Sequence, residues 1–292
     1  MPKKLLVIGL GFLGSSIYYE AVKLGFDVIG TNHLKTTESM FLEIADESQI
    51  RDVINKIKPE YVINCAARTD IDYLETNHQI ATQVNVIGPR NIAKICNEND
   101  IRLVHVSTDS VFDGTKGNYS EKDIPSPINV YARSKYEGEF EVIKNSKNYA
   151  IVRTNFYGVN KRGDYFFNWI LNSLKTNSQI TGYTDVIFSP LDVQTLSKMI
   201  LEILTVNYNG TIHLSSGKPI SKFDFIVQVA KKLDKYTDNI KQGKQFGDPK
   251  SAPRPKNTSL SNELAKKLIK TQIPDLSTWI DHNKVQIDKY LK

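Results

Sequence analysis

Short apolar runs rich in β-branched residues alternate, over the first half of the chain, with longer stretches in which apolar residues recur every three or four positions. The first pattern is typical of strands in a parallel sheet whose two faces are both covered, and the second favours helices. The alternation therefore predicts an α/β fold of the Rossmann type, with a doubly wound parallel sheet and right-handed crossovers. We expect strands at residues 5–8, 26–30, 61–64, 103–106 and 149–152, and helices that end near residue 24, cover 47–58 and 76–98, and begin at residue 131.

Beyond about residue 158 the alternation loosens. We expect helices at residues 164–175, 193–204 and 223–233, a short strand at 179–183, and a strand at 211–215 that returns to the main sheet. The remainder, from about residue 243, is predicted to be polar loop and short helix.

A glycine-rich loop joins the first predicted strand to the first predicted helix. It reads Gly9-Leu-Gly-Phe-Leu-Gly14, the G-x-G-x-x-G pattern in the strand–loop–helix context that dinucleotide-binding domains require. The first glycine permits a tight turn, the second lets the backbone approach a pyrophosphate, and the third lets helix and strand pack closely. The sequence therefore predicts a cofactor site formed by Gly9, Gly11, Phe12, Leu13 and Gly14.

The end of the second predicted strand bears on the choice of cofactor. NAD is selected there by an acidic residue that holds the ribose diol. This chain instead has Asn32, His33 and Lys35, with no carboxylate before Glu38. His33 and Lys35 suit a 2′-phosphate, which favours NADPH over NADH; the alternative is that both are exposed loop residues.

Tyr131 and Lys135 carry the candidate chemistry. A lysine four residues after a tyrosine lies on the same helix face, and the ammonium and the helix N-terminus both favour the phenolate. The spacing occurs three times, at Tyr19/Lys23, Tyr131/Lys135 and Tyr157/Lys161. By itself it more often marks an exposed helix pair than a catalytic one. Only Tyr131/Lys135 follows a predicted buried strand that ends in a hydroxyl residue, Thr108, so we predict these three residues as catalytic.

The chain resembles the extended short-chain dehydrogenases/reductases in Ser107-Thr-Asp-Ser-Val-Phe-Asp-Gly114, in Tyr131-x-x-Ser-Lys135 and in Gly138-Glu139. Within them it is most similar to the dTDP-4-dehydrorhamnose reductases, which are NAD(P)H-dependent 4-keto reductases of nucleotide sugars. The similarity includes residues 64–67 and 254–257. The glycine loop departs from the family, because extended members usually carry the longer G-x-x-G-x-x-G.

The resemblance implies hydride transfer from a nicotinamide to the 4-keto group of a nucleotide-linked deoxysugar. The favoured substrate is dTDP-4-dehydro-L-rhamnose, reduced to dTDP-L-rhamnose for surface polysaccharide synthesis. In this chemistry Tyr131 protonates the developing alkoxide, Lys135 lowers the pKa of Tyr131 and holds the nicotinamide ribose, and Thr108 hydrogen-bonds the carbonyl oxygen.

Further positions carry over from the same family. It places Glu43 near the adenine, Ala66 and Ala67 against the cofactor, and Asp109, Val111, Asn155 and Arg254 at the substrate. An arginine suits phosphate oxygens, whereas a surface arginine beside prolines is the alternative. A smaller domain covers the sugar nucleotide in this superfamily. We therefore expect a dinucleotide-binding domain at 1–155 plus about 186–217, and a substrate domain at about 156–185 and 218–292.

Several departures leave alternatives open. Nucleotide-sugar dehydratases place Asp-Glu after the threonine, and Ser110 at the second position disfavours dehydration. Asn155-Phe156 replaces the tryptophan usual in rhamnose reductases, so a reductase or an epimerase-reductase for a different nucleotide sugar stays open. So does a non-catalytic regulatory homologue that binds NADP and a partner enzyme, as the beta subunit of methionine adenosyltransferase does. The joint presence of Thr108, Tyr131 and Lys135 argues against that reading.

Composition and charge limit the classes of binding partner that we expect. The 292 residues suit one to two domains, and the net charge of +6 fits either a lysine-rich surface or attraction to an anionic nucleotide diphosphate. No compact Lys/Arg run is interleaved with aromatics, so we expect no nucleic-acid partner.

We find no signal-peptide pattern and no apolar run of membrane length, so we expect a cytoplasmic protein without a membrane partner. Cys65 and Cys96 lack metal-ligand spacing, and no ligand cluster predicts a metal site. Family members often pair as homodimers, although no stripe in the sequence compels this.

Overall fold

The structure is a computed structural model that describes residues 2–34, 39–160, 165–245 and 251–291. The predicted cofactor residue Lys35, and also Glu38 and Lys161, lie outside these ranges. Among the described residues, no helix is both long enough and apolar enough to cross a membrane.

The strands of the described chain fall into one large sheet and three short pairs. In chain order they are β1 Lys4–Ile8, β2 Asp27–Asn32, β3 Met40–Phe41, β4 Tyr61–Asn64, β5 Arg102–Thr108, β6 Tyr149–Thr154, β7 Phe156–Tyr157, β8 Ile180–Tyr183, β9 Ile187–Phe188, β10 Leu191–Asp192, β11 Gly210–Leu214, β12 Ile220–Ser221 and β13 Ile240–Gly243. The large sheet has seven strands in the order β11-β6-β5-β4-β1-β2-β3, and every neighbouring pair is parallel. The short pairs are β7–β10, β9–β12 and β8–β13.

Helices cover both faces of the large sheet. In chain order the α-helices of the described chain are α1 Phe12–Lys23, α2 Glu47–Ile57, α3 Ile71–Thr76, α4 His78–Thr82, α5 Gly88–Glu98, α6 Val130–Asn145, α7 Phe166–Lys175, α8 Val193–Thr205, α9 Lys222–Lys232, α10 Ala265–Leu268, α11 Leu276–His282 and α12 Lys284–Leu291. On one face Ile17 of α1 and Ile200 of α8 pack on Val7 and Val104. On the other, apolar residues of α2, α5 and α6 pack on Leu6 and the neighbouring strands. The doubly wound parallel sheet is thus confirmed.

A third, aromatic-rich core lies outside the sheet. It joins α7, α9, α11 and α12, and the ring of Tyr157 contacts the rings of Phe167, Phe225 and Trp279 at centroid distances of 5.7, 5.1 and 4.9 Å. Most segments that build it are those expected to form the substrate domain, but Phe188 also belongs to it and lies in the stretch 186–217 expected in the dinucleotide-binding domain. The domain boundaries remain a prediction. The strand expected at 211–215 does return to the main sheet, as β11 beside β6.

The long helix expected at 76–98 is wrong in its details. Helical structure begins earlier, with α3, breaks at Asn77, and passes through a π-helical turn, Gln83–Ile87, before α5. The side chain of Asn85 accepts from the Arg68 amide and donates to the Arg68 carbonyl oxygen, both at 2.9 Å. Gly138 of α6 approaches so closely that a Cβ there would lie 2.1 Å from the Asn85 carbonyl oxygen. These tertiary contacts fix the irregular turn.

Candidate active site

The glycine loop has the geometry that a pyrophosphate site requires. Gly9 has φ +90°, and a Cβ there would lie 2.6 Å from the Ala66 nitrogen. A Cβ on Gly14 would lie 2.1 Å from the Gly9 carbonyl oxygen, so loop, helix and neighbouring strand meet without room for a side chain. A Cβ on Gly11, in contrast, would meet nothing within 4 Å. The loop is therefore closely packed at Gly9 and Gly14, whereas there is open space beside Gly11.

The opening above Gly11 faces the start of α1. Gly11 is the N-cap and offers no side-chain cap, and the first turn of the helix holds no acidic residue. The first amide groups of a helix have no partner within it and attract anions, so this end fits a pyrophosphate. Phe12 is half-buried beside the rings of Phe156 and Tyr165. Leu13 is buried in the core, so its side chain is not available to a ligand.

The predicted adenosine end lies at the tip of β2. Asn32 is half-buried and accepts a hydrogen bond from the Leu34 amide at 3.3 Å, and His33 is exposed. Glu43 is half-buried and accepts from the Ala45 amide at 3.2 Å. The last residue of β2 is Asn32, which carries no carboxylate to bind a ribose diol. The strand's one acidic residue, Asp27, lies at its opposite end.

Ala66 and Ala67 follow the end of β4, the strand that lies beside β1 in the sheet. Both alanines are half-buried, and the Ala66 amide donates to the Asn64 side chain at 3.0 Å. The main chain of Ala66 packs closely against Gly9 here. In parallel α/β sheets, ligands bind at such carboxyl ends of strands.

Thr108 ends β5 and Tyr131 lies in the first turn of α6. Thr108 is 7% exposed, and its side chain lies close enough to the Tyr131 phenol to lower that group's pKa. The start of α6 is fixed by Asn129, whose side chain accepts from the Ala132 amide at 2.8 Å, and by Glu75, which accepts from the Val130 amide at 3.0 Å. The structure thus brings the two predicted catalytic hydroxyls together.

Lys135 lies one turn further along α6. It is only 2% exposed, and its ammonium donates a 2.8 Å hydrogen bond to the Val106 carbonyl oxygen. Burial lowers the pKa of Lys135 to about 8, and the charge of Glu139 opposes that change. Burial also raises the pKa of Tyr131 to about 12. The expected lowering of the Tyr131 pKa by Lys135 is therefore wrong: withdrawal of the phenol from water raises this pKa, the interaction with Thr108 opposes the change only in part, and the charge of Asp109 adds to it.

The other two tyrosine–lysine pairs differ in their surroundings. Tyr19 is 64% exposed on α1. Tyr157 is buried in the aromatic core, and its partner Lys161 lies outside the described residues.

A buried ion pair joins α6 to the large sheet. Arg153 of β6 donates to both carboxylate oxygens of Glu139, at 2.7 to 3.2 Å, and the Ser107 hydroxyl donates to the same carboxylate. The side chains of Arg153 and Glu139 are 6% and 1% exposed. This network links α6 to β5 and β6, and no local sequence pattern predicts the pairing.

Asp109, directly after Thr108, is the other buried carboxylate of the site. It is 1% exposed, and burial raises its pKa. One oxygen accepts from Thr258 at 2.6 Å and from Asn155 at 3.1 Å, and the other accepts from Thr108 at 3.2 Å and Ser110 at 3.3 Å. Thr258 reaches the site from the far end of the chain, and no motif in the sequence indicated its role.

Two predicted substrate residues are engaged elsewhere. The Val111 side chain is fully buried in a cluster with Phe112, Tyr119 and Leu260 and does not reach the surface of the site. Arg254 makes a two-pronged ion pair with Asp72, at 3.0 and 2.7 Å, which raises the pKa of the arginine further. Its role toward substrate phosphate stays a prediction.

A cavity of about 1050 Å³ lies apart from these residues, between α9 and residues 262–276, and neither Thr108, Tyr131 nor Lys135 lines it. The candidate active site therefore lies outside this cavity.

Within the described ranges, no group of three or more His, Cys, Asp or Glu side chains is arranged to hold a metal ion. Burial raises the pKa of both thiols, that of Cys65 to about 12.

Comparison with known proteins agrees with this geometry. Residues 3–289 match the family model described as RmlD substrate binding domain. The chain is 31% identical over 263 residues to the probable low-salt glycan biosynthesis reductase Agl14 of Haloferax volcanii, covering 86% of each chain. It is 30% identical over 267 residues to dTDP-4-dehydrorhamnose reductase of Mycobacterium tuberculosis, covering 89% of this chain and 85% of that protein.

A solved structure gives the same result for the fold. The crystal structure of dTDP-4-dehydrorhamnose reductase from Bacillus anthracis in complex with NADP superposes with a TM-score of 0.89 at 28% identity, over 98% of this chain and all of that one. The expected fold and family are confirmed. The chain belongs to the RmlD substrate-binding-domain family and is an oxidoreductase.

Proposed function

We propose that the protein uses NADPH to reduce the 4-keto group of a nucleotide-linked deoxysugar, converting dTDP-4-dehydro-L-rhamnose to dTDP-L-rhamnose for surface polysaccharide synthesis. One observation carries the proposal: Thr108, Tyr131 and Lys135 meet at the carboxyl end of β5, on the sheet edge where the glycine loop lies. Relatives named dTDP-4-dehydrorhamnose reductase support the substrate class.

The residues around the sheet edge fit a dinucleotide. The open side of Gly11 and the uncapped start of α1 would bind its pyrophosphate, and Lys135 would hold the nicotinamide ribose. Asn32 at the end of β2, in place of a carboxylate, favours NADPH, with NADH as the weaker substitute. When bound, the cofactor supplies the hydride that attacks the carbonyl carbon.

Three side chains, Thr108, Tyr131 and Lys135, stabilise and neutralise the negative charge that forms on the carbonyl oxygen. The Thr108 hydroxyl, which donates to Asp109 in the structure, turns to donate a hydrogen bond to that oxygen, and Tyr131 transfers its proton to it, so the carbonyl becomes an alcohol. A pKa of about 12 keeps Tyr131 protonated at neutral pH, which is the state that a proton donor requires. Lys135, with a pKa of about 8, is mostly charged at neutral pH and stabilises the phenolate that remains.

The test is oxidation of NADPH and NADH, in parallel, with dTDP-4-keto-6-deoxyglucose, each with and without a rhamnose-pathway epimerase. We expect consumption only when the epimerase is present, with NADPH preferred. Absence of consumption under both conditions would contradict the proposal.

One observation favours a second candidate, a reductase for a different nucleotide sugar. Asn155 stands where rhamnose reductases usually have tryptophan, and its side chain donates to Asp109 at 3.1 Å. The same assay separates the two candidates, because consumption without epimerase indicates a sugar that needs no epimerisation or an enzyme that epimerises it.

A further inference from the structure

Lys222 is the first residue of α9, an unfavourable place for a positive charge. The start of a helix carries a partial positive charge and favours acidic side chains. The helix is already capped by Ser221, which accepts from the Asp224 amide at 3.0 Å. The charge of Lys222 therefore contributes nothing to the start of this helix.

Two phenylalanine rings surround the Lys222 ammonium. The nitrogen lies 3.4 Å from the ring centroid of Phe188 and 4.0 Å from that of Phe166. The rings themselves are 6.2 Å apart and nearly perpendicular, at 80°. Within the described ranges the ammonium takes part in no ion pair and no hydrogen bond. Ring faces attract the charge but do not replace the oxygen acceptors that its three N–H groups have in water.

The ammonium lies near the candidate active site, because Thr258, which donates to Asp109, also donates its amide to the carbonyl oxygen of Ile187, the residue before Phe188. Burial lowers the pKa of Lys222 to about 7, and the charge of Asp109 opposes that change, although the two side chains form no ion pair. The two oxygens of Asp109 already accept four hydrogen bonds, from Thr258, Asn155, Thr108 and Ser110, which is about what a carboxylate accepts. Lys222 therefore has unused donors beside the residue that follows Thr108.

We propose that Lys222 is a specificity-determining residue, which donates a hydrogen bond to a hydroxyl oxygen of the substrate's sugar. Asp109 disfavours a second anion at this place, so a neutral sugar oxygen suits the site better than a phosphate or a carboxylate. The inference rests on the proposed function, and it narrows the substrate class to nucleotide sugars that keep one particular ring hydroxyl.

The alternative is that Lys222 only packs against the two rings. Methionine separates the alternatives, because it keeps an unbranched apolar chain that contacts aromatic rings well but donates no hydrogen bond. If packing alone matters, Lys222→Met leaves sugar recognition unchanged. If Lys222 binds the sugar, the loss appears only with ligands that contain the hydroxyl.

The experiment is calorimetric titration of NADP-loaded protein with dTDP-L-rhamnose, its monodeoxy derivatives and dTDP. We expect Lys222→Met to weaken binding of dTDP-L-rhamnose on the order of 10- to 100-fold, the usual range for a hydrogen bond to a charged group. Binding of dTDP should stay unchanged. One monodeoxy derivative should bind wild type and Lys222→Met equally, which identifies the hydroxyl. Lys231→Met, an exposed lysine on the same helix, is the matched control.

Equal binding of dTDP-L-rhamnose by wild type and Lys222→Met would overturn the inference. So would a wild-type protein that binds dTDP-L-rhamnose no more tightly than dTDP. The titration needs no turnover, so its failure is distinguishable from failure of the proposed reduction, which is a lack of NADPH oxidation by the wild-type protein.

Discussion

The ammonium of Lys135 donates a 2.8 Å hydrogen bond to the main-chain carbonyl oxygen of Val106, two residues before Thr108 on the same strand. This bond ties α6 to the end of β5. Tyr131, one turn earlier on the helix, is thereby held near Thr108. Lys135 thus positions the proton donor as well as supplying a charge near it.

Replacing Tyr131 by phenylalanine tests the proton donor. A positioned general acid contributes about 10²- to 10⁴-fold, so Tyr131→Phe should lower kcat by that factor while NADPH affinity stays close to wild type. Steady-state kinetics and a cofactor titration check both. Tyr19→Phe is the control, because Tyr19 has the same spacing to a lysine but is 64% exposed, and it should keep full activity. Full activity in Tyr131→Phe would refute the assignment.

The pH dependence should report Lys135. Its pKa of about 8 means that the ammonium is present below that pH and is lost above it. Because the charged form stabilises the phenolate left by proton transfer, kcat should be level below pH 8 and fall above it, whereas the Lys222 ammonium, with a pKa of about 7, should affect KM. Tyr131, with a pKa of about 12, stays protonated throughout this range.

Lys135→Arg is the matched variant for the pH profile. A guanidinium keeps its charge far above pH 8, so the fall should disappear over the measured range even if the absolute rate is lower. A fall at the same pH in wild type and Lys135→Arg would show that another group causes it.

The glycine loop allows two contrasting alanine substitutions. Gly14→Ala would place a Cβ 2.1 Å from the Gly9 carbonyl oxygen, so it should lower the free energy of unfolding by roughly 1–3 kcal/mol. Gly11→Ala meets no atom within 4 Å, and its φ of −79° suits alanine. It should keep the wild-type Tm yet weaken NADPH binding, because the methyl group occupies the space for the pyrophosphate. Thermal denaturation and NADPH titration measure the two effects, and unchanged NADPH affinity in Gly11→Ala would contradict this placement.

The ion pair beneath α6 should dominate local stability. Glu139→Gln leaves the Arg153 guanidinium buried without its counter-charge, and loss of one partner of a buried pair costs about 3–5 kcal/mol. The exposed pair Lys266–Glu263 supplies the control, since Glu263→Gln should cost less than about 1 kcal/mol. Urea denaturation compares the two. Equal losses would mean that the Glu139–Arg153 pair does not support the site.

Local patterns were sufficient for much of the fold. The apolar run at 103–106 lies within β5, and the glycine pattern lies between β1 and α1 as expected. These features depend on side-chain periodicity and on backbone freedom, which are written in neighbouring residues. The candidate catalytic residues could be chosen for the same reason, since Tyr131 and Lys135 are one helical turn apart.

Features that depend on distant contacts could not be predicted. Thr258 binds Asp109 across 149 positions of sequence, and Arg254 binds Asp72 across 182. The raised pKa of Tyr131 comes from burial, which spacing to Lys135 does not reveal. Lys222 has no motif around it, and only the fold places its ammonium near Asp109.

The most direct test of the proposed function follows the hydride itself. The protein is supplied with NADPH deuterated at the transferred position, dTDP-4-keto-6-deoxyglucose and the epimerase, and the sugar product is analysed by mass spectrometry and NMR. We predict one deuterium per sugar, bound at C4. A reduced sugar without deuterium at C4, or no reduced sugar under conditions in which NADPH binds, would contradict the proposal.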